Sequence, residues 1–345
     1  MIMAGSVIVI GAGSAGMEVS GVLARSGVSV TLIEKTANTG GHVKNWHHLF
    51  PDHRDGADVV SYMGVRAGHK LVNILTGTEI RELSRKGGKF HATTEGGSEL
   101  TGDAVVVATG FDLFDCSRKE EYGYGIYDNV HTSAELEEMF RAGRLTTASG
   151  KEPEKIGFVH CVGSRDEKVG NLYCSKLCCV TAVKQAIEVR KKLPRSKVFC
   201  FYMDMRMGGA SYEELYREAQ EEWGISFIRG KVSEAGEMID HRIQVKVEDT
   251  LVGRPLKLEL DMLFLMAGME MSEAGARISR IAGLKTGENR FLLASDNHYG
   301  SNRGNVEGIF YAGSCTAPMN ITETISHARA AATEVIDYLN GINLK

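Results

Sequence analysis

The sequence predicts an α/β chain of two dinucleotide-binding, Rossmann-type domains. Three observations carry that expectation. The chain opens as a βαβ unit, with Val7 to Ile10 as a buried strand and Gly11-Ala12-Gly13-Ser14-Ala15-Gly16 as the turn. Met17 to Ser26 then has helical composition, and a second strand, Val28 to Ile33, ends at Glu34. A further continuous apolar run, Ala104 to Ala108, ends in Thr109-Gly110, and the last segment, Gly308 to Gly313 with the helix after it, looks like a return to this first block. A second α/β series starts at Ile156, after the polar linker Thr146 to Glu154.

Each part of the opening turn has a physical task. Gly11 permits the tight turn, Gly13 lets the backbone approach a pyrophosphate, and Gly16 allows close helix–strand packing. The helix N-terminus attracts phosphate, and Glu34 stands where an acid binds ribose hydroxyls. Between this unit and Ala104 lies a polar, histidine-rich stretch, Asn45 to Asp58. The second series reads as strand Ile156 to Cys161, helix Tyr173 to Lys192, strand Val198 to Met203 and charged helix Tyr212 to Trp223. Val245 to Glu248, Leu256 to Leu260 and Asp261 to Met266 follow as strands, and a closing helix covers Ile321 to Asn340. The expected domains are residues 1–150 and 271–345 for the first dinucleotide fold, in two parts, and 151–270 for the second.

With 345 residues the chain has room for two cores. Its 40 glycines against 5 prolines fit many βα turns rather than low-complexity disorder. A net charge of -4 gives no reason to expect nucleic acid. The first apolar run is too short for a secretory core, and no run is long enough to span a membrane. A cytoplasmic protein without a membrane span is expected.

Of the seven cysteines, Cys161, Cys174, Cys178 and Cys179 fall in one short stretch with the spacing C-x12-C-x3-C-C. On a helix Cys174 and Cys178 share a face, with Cys179 about 100° further round. Cys161 ends the strand that feeds the same loop, so four thiolates can converge. Such a set suits zinc or an iron–sulfur cluster. Zinc sites prefer paired C-x2-4-C knuckles, and an adjacent Cys-Cys pair makes a poor one. Buried packing thiols and a Cys178–Cys179 disulfide remain the other readings. Cys116, Cys200 and Cys315 read as packing residues. His42, His47, His48 and His53 are dense, but with no repeated carboxylate–histidine spacing they read as surface or packing residues. Asp204 and Arg206 at a strand end suit an ion pair or a cofactor-edge contact. The turn Cys161-Val162-Gly163-Ser164-Arg165-Asp166 lacks a three-glycine fingerprint, so NAD(P)H is not expected in the usual second-domain mode.

The sequence resembles the A subunit of heterodisulfide reductases through nearly its whole length. The resemblance runs through Gly40-Gly41-His42, Phe50-Pro51, Ala108-Thr109-Gly110-Phe111-Asp112 and His160-Cys161-Val162-Gly163-Ser164-Arg165-Asp166. It continues in Tyr173-Cys174 to Cys178-Cys179, Lys184-Gln185-Ala186, Asp204-Met205-Arg206, Phe227-Ile228-Arg229-Gly230 and Gly268-Met269. It implies a thioredoxin-reductase-like fold with FAD. The flavin residues would be Gly11, Gly13, Ser14, Ala15, Gly16, Glu34, Lys35, Gly41, His42, Ala108, Thr109, Gly110, Gly313, Ser314, Asn320, Ile321 and Thr322. It implies a [4Fe–4S] cluster on Cys161, Cys174, Cys178 and Cys179, a homodimer, and partner subunits in a larger complex.

Three departures narrow the resemblance. Ser314 stands where the flavin motif usually has Asp, and Pro318-Met319-Asn320 replaces Pro-Lys-Asp, which removes a positive charge expected near the flavin. The segment after Phe50-Pro51 lacks the cysteines usual there. A short form of this kind is similar to the sulfur-oxidising version, whose assembly implies a lipoate-binding protein carrying sulfane sulfur. Three functions are therefore weighed: an FAD and iron–sulfur electron-transfer subunit, an NAD(P)H-dependent disulfide reductase using Cys178–Cys179, and a non-catalytic flavin-bound scaffold.

Overall fold

In the computed structural model, which describes residues 5–341, the chain forms two α/β units. Of the described residues, the first comprises 5–44, Ala57–Asp112 and 270–341. The second comprises Asn45–Gly56 and Leu113–Met269.

The first unit is built on a five-stranded parallel sheet. Its spatial order is Val72–Leu75, Ser29–Ile33, Ser6–Ile10, Ala104–Val107 and Ile309–Tyr311. The first three strands run out from the centre in sequence order, and the last two lie on the other side of the first, so the order reverses beside Ser6–Ile10. Ligands of such sheets bind beyond the carboxyl ends of the strands at that switch point. The sheet interior is Val7, Ile8, Val9, Val105, Val106 and Val107, all 1% exposed or less. Such near-continuous apolar runs mark strands covered on both faces. Helix Ser14–Arg25 packs against the closing helix Ile321–Leu339, and a three-stranded antiparallel meander, Ile80–Lys86, Lys89–Thr94 and Glu99–Gly102, precedes the fourth strand.

The second unit repeats the plan. Its parallel sheet has the order Val130–Thr132, Met262–Ala267, Lys155–Val162, Lys197–Tyr202 and Ser226–Arg229. A meander of Val232–Glu237, Ile243–Asp249 and Arg254–Leu260 again interrupts the series, here before its last parallel strand in sequence, Met262–Ala267. Helix Cys178–Lys192 covers the sheet through Val180, Val183, Ile187 and Val189, each fully buried or nearly so.

The division differs from the sequence expectation at one end. Residues 113–150 belong with the second unit, because Val130–Thr132 pairs with Met262–Ala267 and the helix Ser133–Arg141 packs on that strand. The histidine-rich hairpin, His48–Leu49 with Arg54–Asp55, also belongs there. Sequence order hid both, since each is an excursion out of the neighbouring chain. No helix among the described residues is long and apolar enough to cross a membrane.

Candidate cofactor sites

Register places the expected dinucleotide residues on one edge of the first unit. Ile10 is opposite both Ile33 and Val107, and Val107 is opposite Tyr311. The residues that follow these four strands, Gly11, Glu34, Ala108 and Ala312, therefore emerge side by side. Gly11 has φ +105, and a Cβ there would lie 2.4 Å from the Ala108 carbonyl oxygen. A Cβ at Gly16 would lie 1.8 Å from the carbonyl oxygen of Gly11, so this glycine lets the helix meet its own turn. Gly13 is different. The nearest atom to a Cβ there is the Gly41 Cα, at 3.8 Å, which leaves an open cradle in front of the turn.

Ser14, Ala15 and Gly16 form the first turn of the helix, with Gly13 as its N-cap. The Glu34 carboxylate, 8% exposed, ties this edge together. It accepts from the Ala12 backbone N–H at 2.9 Å through Oε2, and from the Thr36 N–H and hydroxyl at 2.9 Å each through Oε1. Each carboxylate oxygen has further acceptor capacity for a hydroxyl. Gly41 lies against the glycine turn, since its Cβ would be 2.9 Å from the Gly13 Cα, and the Gly40 N–H donates to the Ala12 carbonyl at 2.8 Å. His42 stacks on Phe111, with Nε2 2.7 Å from the Phe111 carbonyl oxygen, which puts it beside Gly110. Thr109 Oγ1 is buried with no hydrogen-bond partner among the described residues. A buried orphan hydroxyl beside an open glycine cradle fits a site that takes a polar ligand.

The last motif closes on the first: a Cβ at Gly313 would lie 2.7 Å from the Ala15 Cβ. Ser314 is buried beside it. Asn320 caps the closing helix, accepting from the Glu323 N–H at 2.8 Å while the Glu323 carboxylate accepts from the Asn320 N–H at 3.0 Å. Ile321 and Thr322 start that helix, so free backbone N–H groups point ahead of it. Lys35 and Thr322 are exposed. Cys315 is fully buried, donates to the Val107 carbonyl at 3.2 Å, and has its thiol pushed by burial up to about 12; it packs.

In the second unit the cysteines gather where the first unit has its glycine turn. Strand Lys155–Val162 shifts register between Val159 and Val162, and Cys161 has φ 61. This bulge re-aims the Cys161 side chain. Its Sγ lies 3.7 Å from that of Cys178. The loop between them folds back on itself: Asp166 and Asn171 form an antiparallel bridge, and the Arg165 N–H donates to the Tyr173 carbonyl at 2.9 Å. Lys119, 1% exposed, anchors the loop through Asp166 and Glu121, each at 2.7 Å.

The expectation of a helix from Tyr173 fails. The helix starts at Cys178, because Lys176 adopts φ 64 and the Ser175 hydroxyl accepts from the Met269 N–H at 2.8 Å. Cys174 therefore does not share a helical face with Cys178. It sits half-buried on the loop, its Sγ accepting from the Lys176 N–H at 3.2 Å. Cys161, Cys178 and Cys179 are buried.

Electrostatics favours negative sulfur here. Cys178 and Cys179 occupy the first turn of a helix, whose N-terminal dipole stabilises a thiolate. The hydrogen bond from Cys178 draws the Cys161 thiol down to about 7 and leaves the proton on Cys178, whose own value is raised. The Cys178 contact and then His160 draw Cys179 down to about 4. Burial opposes a charged His160, but its contacts with Cys179 and Cys200 outweigh burial and lift it to about 10. Of the two readings open for Asp204, an ion pair or a cofactor-edge contact, the structure shows an ion pair, with Arg165 at 2.7 Å and Arg229 at 3.6 Å. Sequence reasoning missed His160, since a lone histidine on an apolar strand gives no signal until its neighbours on the sheet are known.

The family model described as pyridine nucleotide-disulphide oxidoreductase matches residues 5–139. The A subunit of the H(2)/formate:CoB-CoM heterodisulfide,ferredoxin reductase of Methanococcus maripaludis is 39% identical over 238 residues, 67% of this chain and 36% of that protein. The A subunit of the ferredoxin/F(420)H(2)-dependent CoB-CoM heterodisulfide reductase of Methanosarcina acetivorans is 28% identical across 97% of this chain and 53% of that protein. The chain thus spans between about a third and about half of these curated relatives. Among solved structures, T. acidophilum thioredoxin reductase superposes with a TM-score of 0.68 at 19% identity over 98% of both chains, a likeness of fold alone. With the thioredoxin-reductase fold in both units and relatives of this kind, the chain is a homologue of the A subunits of heterodisulfide reductases.

Proposed function

We propose that the chain is an electron-transfer component of a heterodisulfide-reductase-like complex, an oxidoreductase with FAD in its first unit and one [4Fe–4S] cluster in its second. When bound, FAD exchanges electrons in pairs or singly, and the cluster exchanges them singly. The observation that carries this reading is the Cys161–Cys178 contact at the head of the helix, with Cys179 in the same turn and Cys174 on the loop above.

The chain's own residues have definite tasks. Gly13 leaves space for a pyrophosphate, Glu34 offers acceptors to a ribose, and Thr109 offers an unpaired hydroxyl. Ser14, Ala15 and Gly16, in the first turn of their helix, would offer N–H groups to the phosphates, and Ile321 and Thr322, at the start of the closing helix, would offer theirs to the electron-rich edge of the flavin. Gly41, His42, Ala108, Gly110, Gly313, Ser314 and Asn320 would line the site, with Lys35 at its exposed rim. Cys161, Cys174, Cys178 and Cys179 would hold the cluster through their sulfur atoms, the last two from the first turn of the helix. The relative from Methanocaldococcus jannaschii is called the iron–sulfur A subunit of a CoB–CoM heterodisulfide reductase, which supports the cluster.

The second unit is not built for NAD(P)H in the usual way. Its helix starts well after its first strand, and a Cβ at Gly163 would overlap the Phe114 ring. In this proposal electrons come from and go to partner subunits, the chain is a cytoplasmic homodimer, and the pathway is oxidative sulfur metabolism with sulfur carried on a lipoate-binding protein.

The test is iron and sulfide per chain in anaerobically purified protein, with visible and EPR spectra. About four irons per chain, lost in Cys178→Ser with flavin retained, is the expected result. Iron-free protein with Cys161 and Cys178 joined as a disulfide would replace the reading with thiol–disulfide chemistry. A Cys178–Cys179 disulfide is less suited to the geometry, because consecutive helical side chains diverge by about 100°.

A further inference from the structure

The hairpin His48–Leu49 with Arg54–Asp55 carries two imidazoles to a buried carboxylate on helix Cys178–Lys192. Glu188 is 6% exposed, and its Oε1 lies 2.7 Å from His48 Nδ1 and 3.3 Å from His53 Nδ1. The three ligand atoms lie within 4.8 Å of one another. We propose that His48, His53 and Glu188 form a metal site, separate from the cysteines, for one divalent first-row transition ion of the zinc type.

The donor set is two neutral nitrogens and one carboxylate oxygen, which suits borderline divalent ions and leaves a fourth position for water. Tetrahedral zinc with bonds of this kind spaces its ligand atoms about 3.3 Å apart. The His53 contact has that spacing, and the His48 contact, at 2.7 Å, lies closer. His48 is a third exposed, so an ion has a path in.

The supports are arranged as an outer shell around a metal would be. Glu188 Oε2 is held by Lys184 Nζ at 3.3 Å, which leaves Oε1 as the oxygen facing the histidines. Lys184, itself 1% exposed, has its charge matched by Glu137. Glu137 also accepts from the His47 N–H at 2.9 Å, and the His47 ring stacks on that of His48 with centroids 3.7 Å apart. His53 has φ 56, a backbone state that aims its ring back at the helix. Such second contacts orient ligands. Glu188 lies ten residues along the helix from Cys178, about 15 Å at the helical rise, so the two sites do not share donors.

The experiment is Co²⁺ titration of the full chain, purified without oxygen, followed in the visible and near-ultraviolet. One equivalent should give ligand-field bands without the thiolate-to-cobalt charge transfer that cysteine ligation produces, and Zn²⁺ should displace it. His53→Gln and Glu188→Gln should each lower the affinity by at least about tenfold. Glu188→Gln disturbs a buried network, so His48→Gln serves as the second variant if it does not fold. No such bands, equal affinity in folded His53→Gln, or a thiolate spectrum alone that vanishes in Cys178→Ser would each overturn the proposal. The cluster reading stands or falls separately, on iron content, which His53→Gln should leave unchanged.

Discussion

The Sγ atoms of Cys161 and Cys178 lie 3.7 Å apart, although seventeen positions separate them in sequence. A bulge in the strand, a folded-back loop and a helix start must all agree for that contact to form. Cys174 shares none of this tight packing. Cys174→Ser should therefore fold with nearly wild-type stability, a change within about 0.5 kcal/mol. Its iron content should nevertheless drop. A thermal melt beside an iron assay checks both, and full iron in that variant would remove Cys174 from the ligand set.

Much of this was legible because the signals are local. Gly11, Gly13, Gly16 and Glu34 sit at fixed offsets along one βαβ unit, and parallel register then carries Ala108 and Gly313 to the same edge. The Cys174 position was not legible. Composition from Tyr173 to Lys192 suits a helix, but the left-handed Lys176 and the Ser175–Met269 hydrogen bond stop it short, and Met269 is remote in sequence. The same holds for Glu188 and the histidines of the hairpin, which meet only through tertiary packing. Residues 113–150 were misassigned because an edge strand announces no partner.

Gly13 and Gly16 separate flavin binding from folding. Gly13→Ala places its Cβ no nearer than 3.8 Å to the Gly41 Cα, an ordinary contact, so the protein should melt normally while losing most of its flavin. Gly16→Ala drives a Cβ into the Gly11 carbonyl and should destabilise the first unit by about 1–3 kcal/mol or more. The flavin-to-protein ratio and the melting temperature of both variants test this. Full flavin in Gly13→Ala would move the pyrophosphate elsewhere.

Glu18 gives the first unit a pH dependence. It is fully buried between Arg66, at 2.6 Å, and Arg329, at 2.7 Å. Burial would raise its pKa, but the two guanidinium groups outweigh it and hold the group below the ordinary 4.5. The unfolded chain therefore binds the proton first. The stability from this group is complete above about pH 4.5 and is lost as pH falls through the lower folded value. Glu18→Gln should cost about 3 kcal/mol at neutral pH. That gap should narrow in acid, as denaturant midpoints measured from neutral pH down to about pH 3 would show. A constant gap would mean that the charge of Glu18 contributes nothing.

Lys119 is predicted to govern iron content without touching iron. Its ammonium is 1% exposed and bonds Asp166 at 2.7 Å, and Asp166 in turn accepts from the Lys168 N–H at 3.0 Å and bridges to Asn171. Asn171 reaches the Gly163 carbonyl at 2.9 Å, two residues after Cys161. One buried cation thus holds the loop that carries Cys174 between Cys161 and the helix start. Lys119→Met fills similar volume but leaves Asp166 buried without its nearest cation, since Lys231 stands 3.6 Å away and half exposed. Breaking such a pair costs about 3–5 kcal/mol. The loop should open first, because it is tied by a few hydrogen bonds and this ion pair rather than by a strand ladder. Iron per chain should therefore fall at temperatures well below the melting transition, while flavin, bound by the other unit, stays. Removing the acid as well, in Lys119→Met with Asp166→Asn, should restore part of the iron, because the uncompensated charge is gone. If Lys119→Met keeps its full iron while losing stability, the ion pair supports the fold alone and does not position the cysteines.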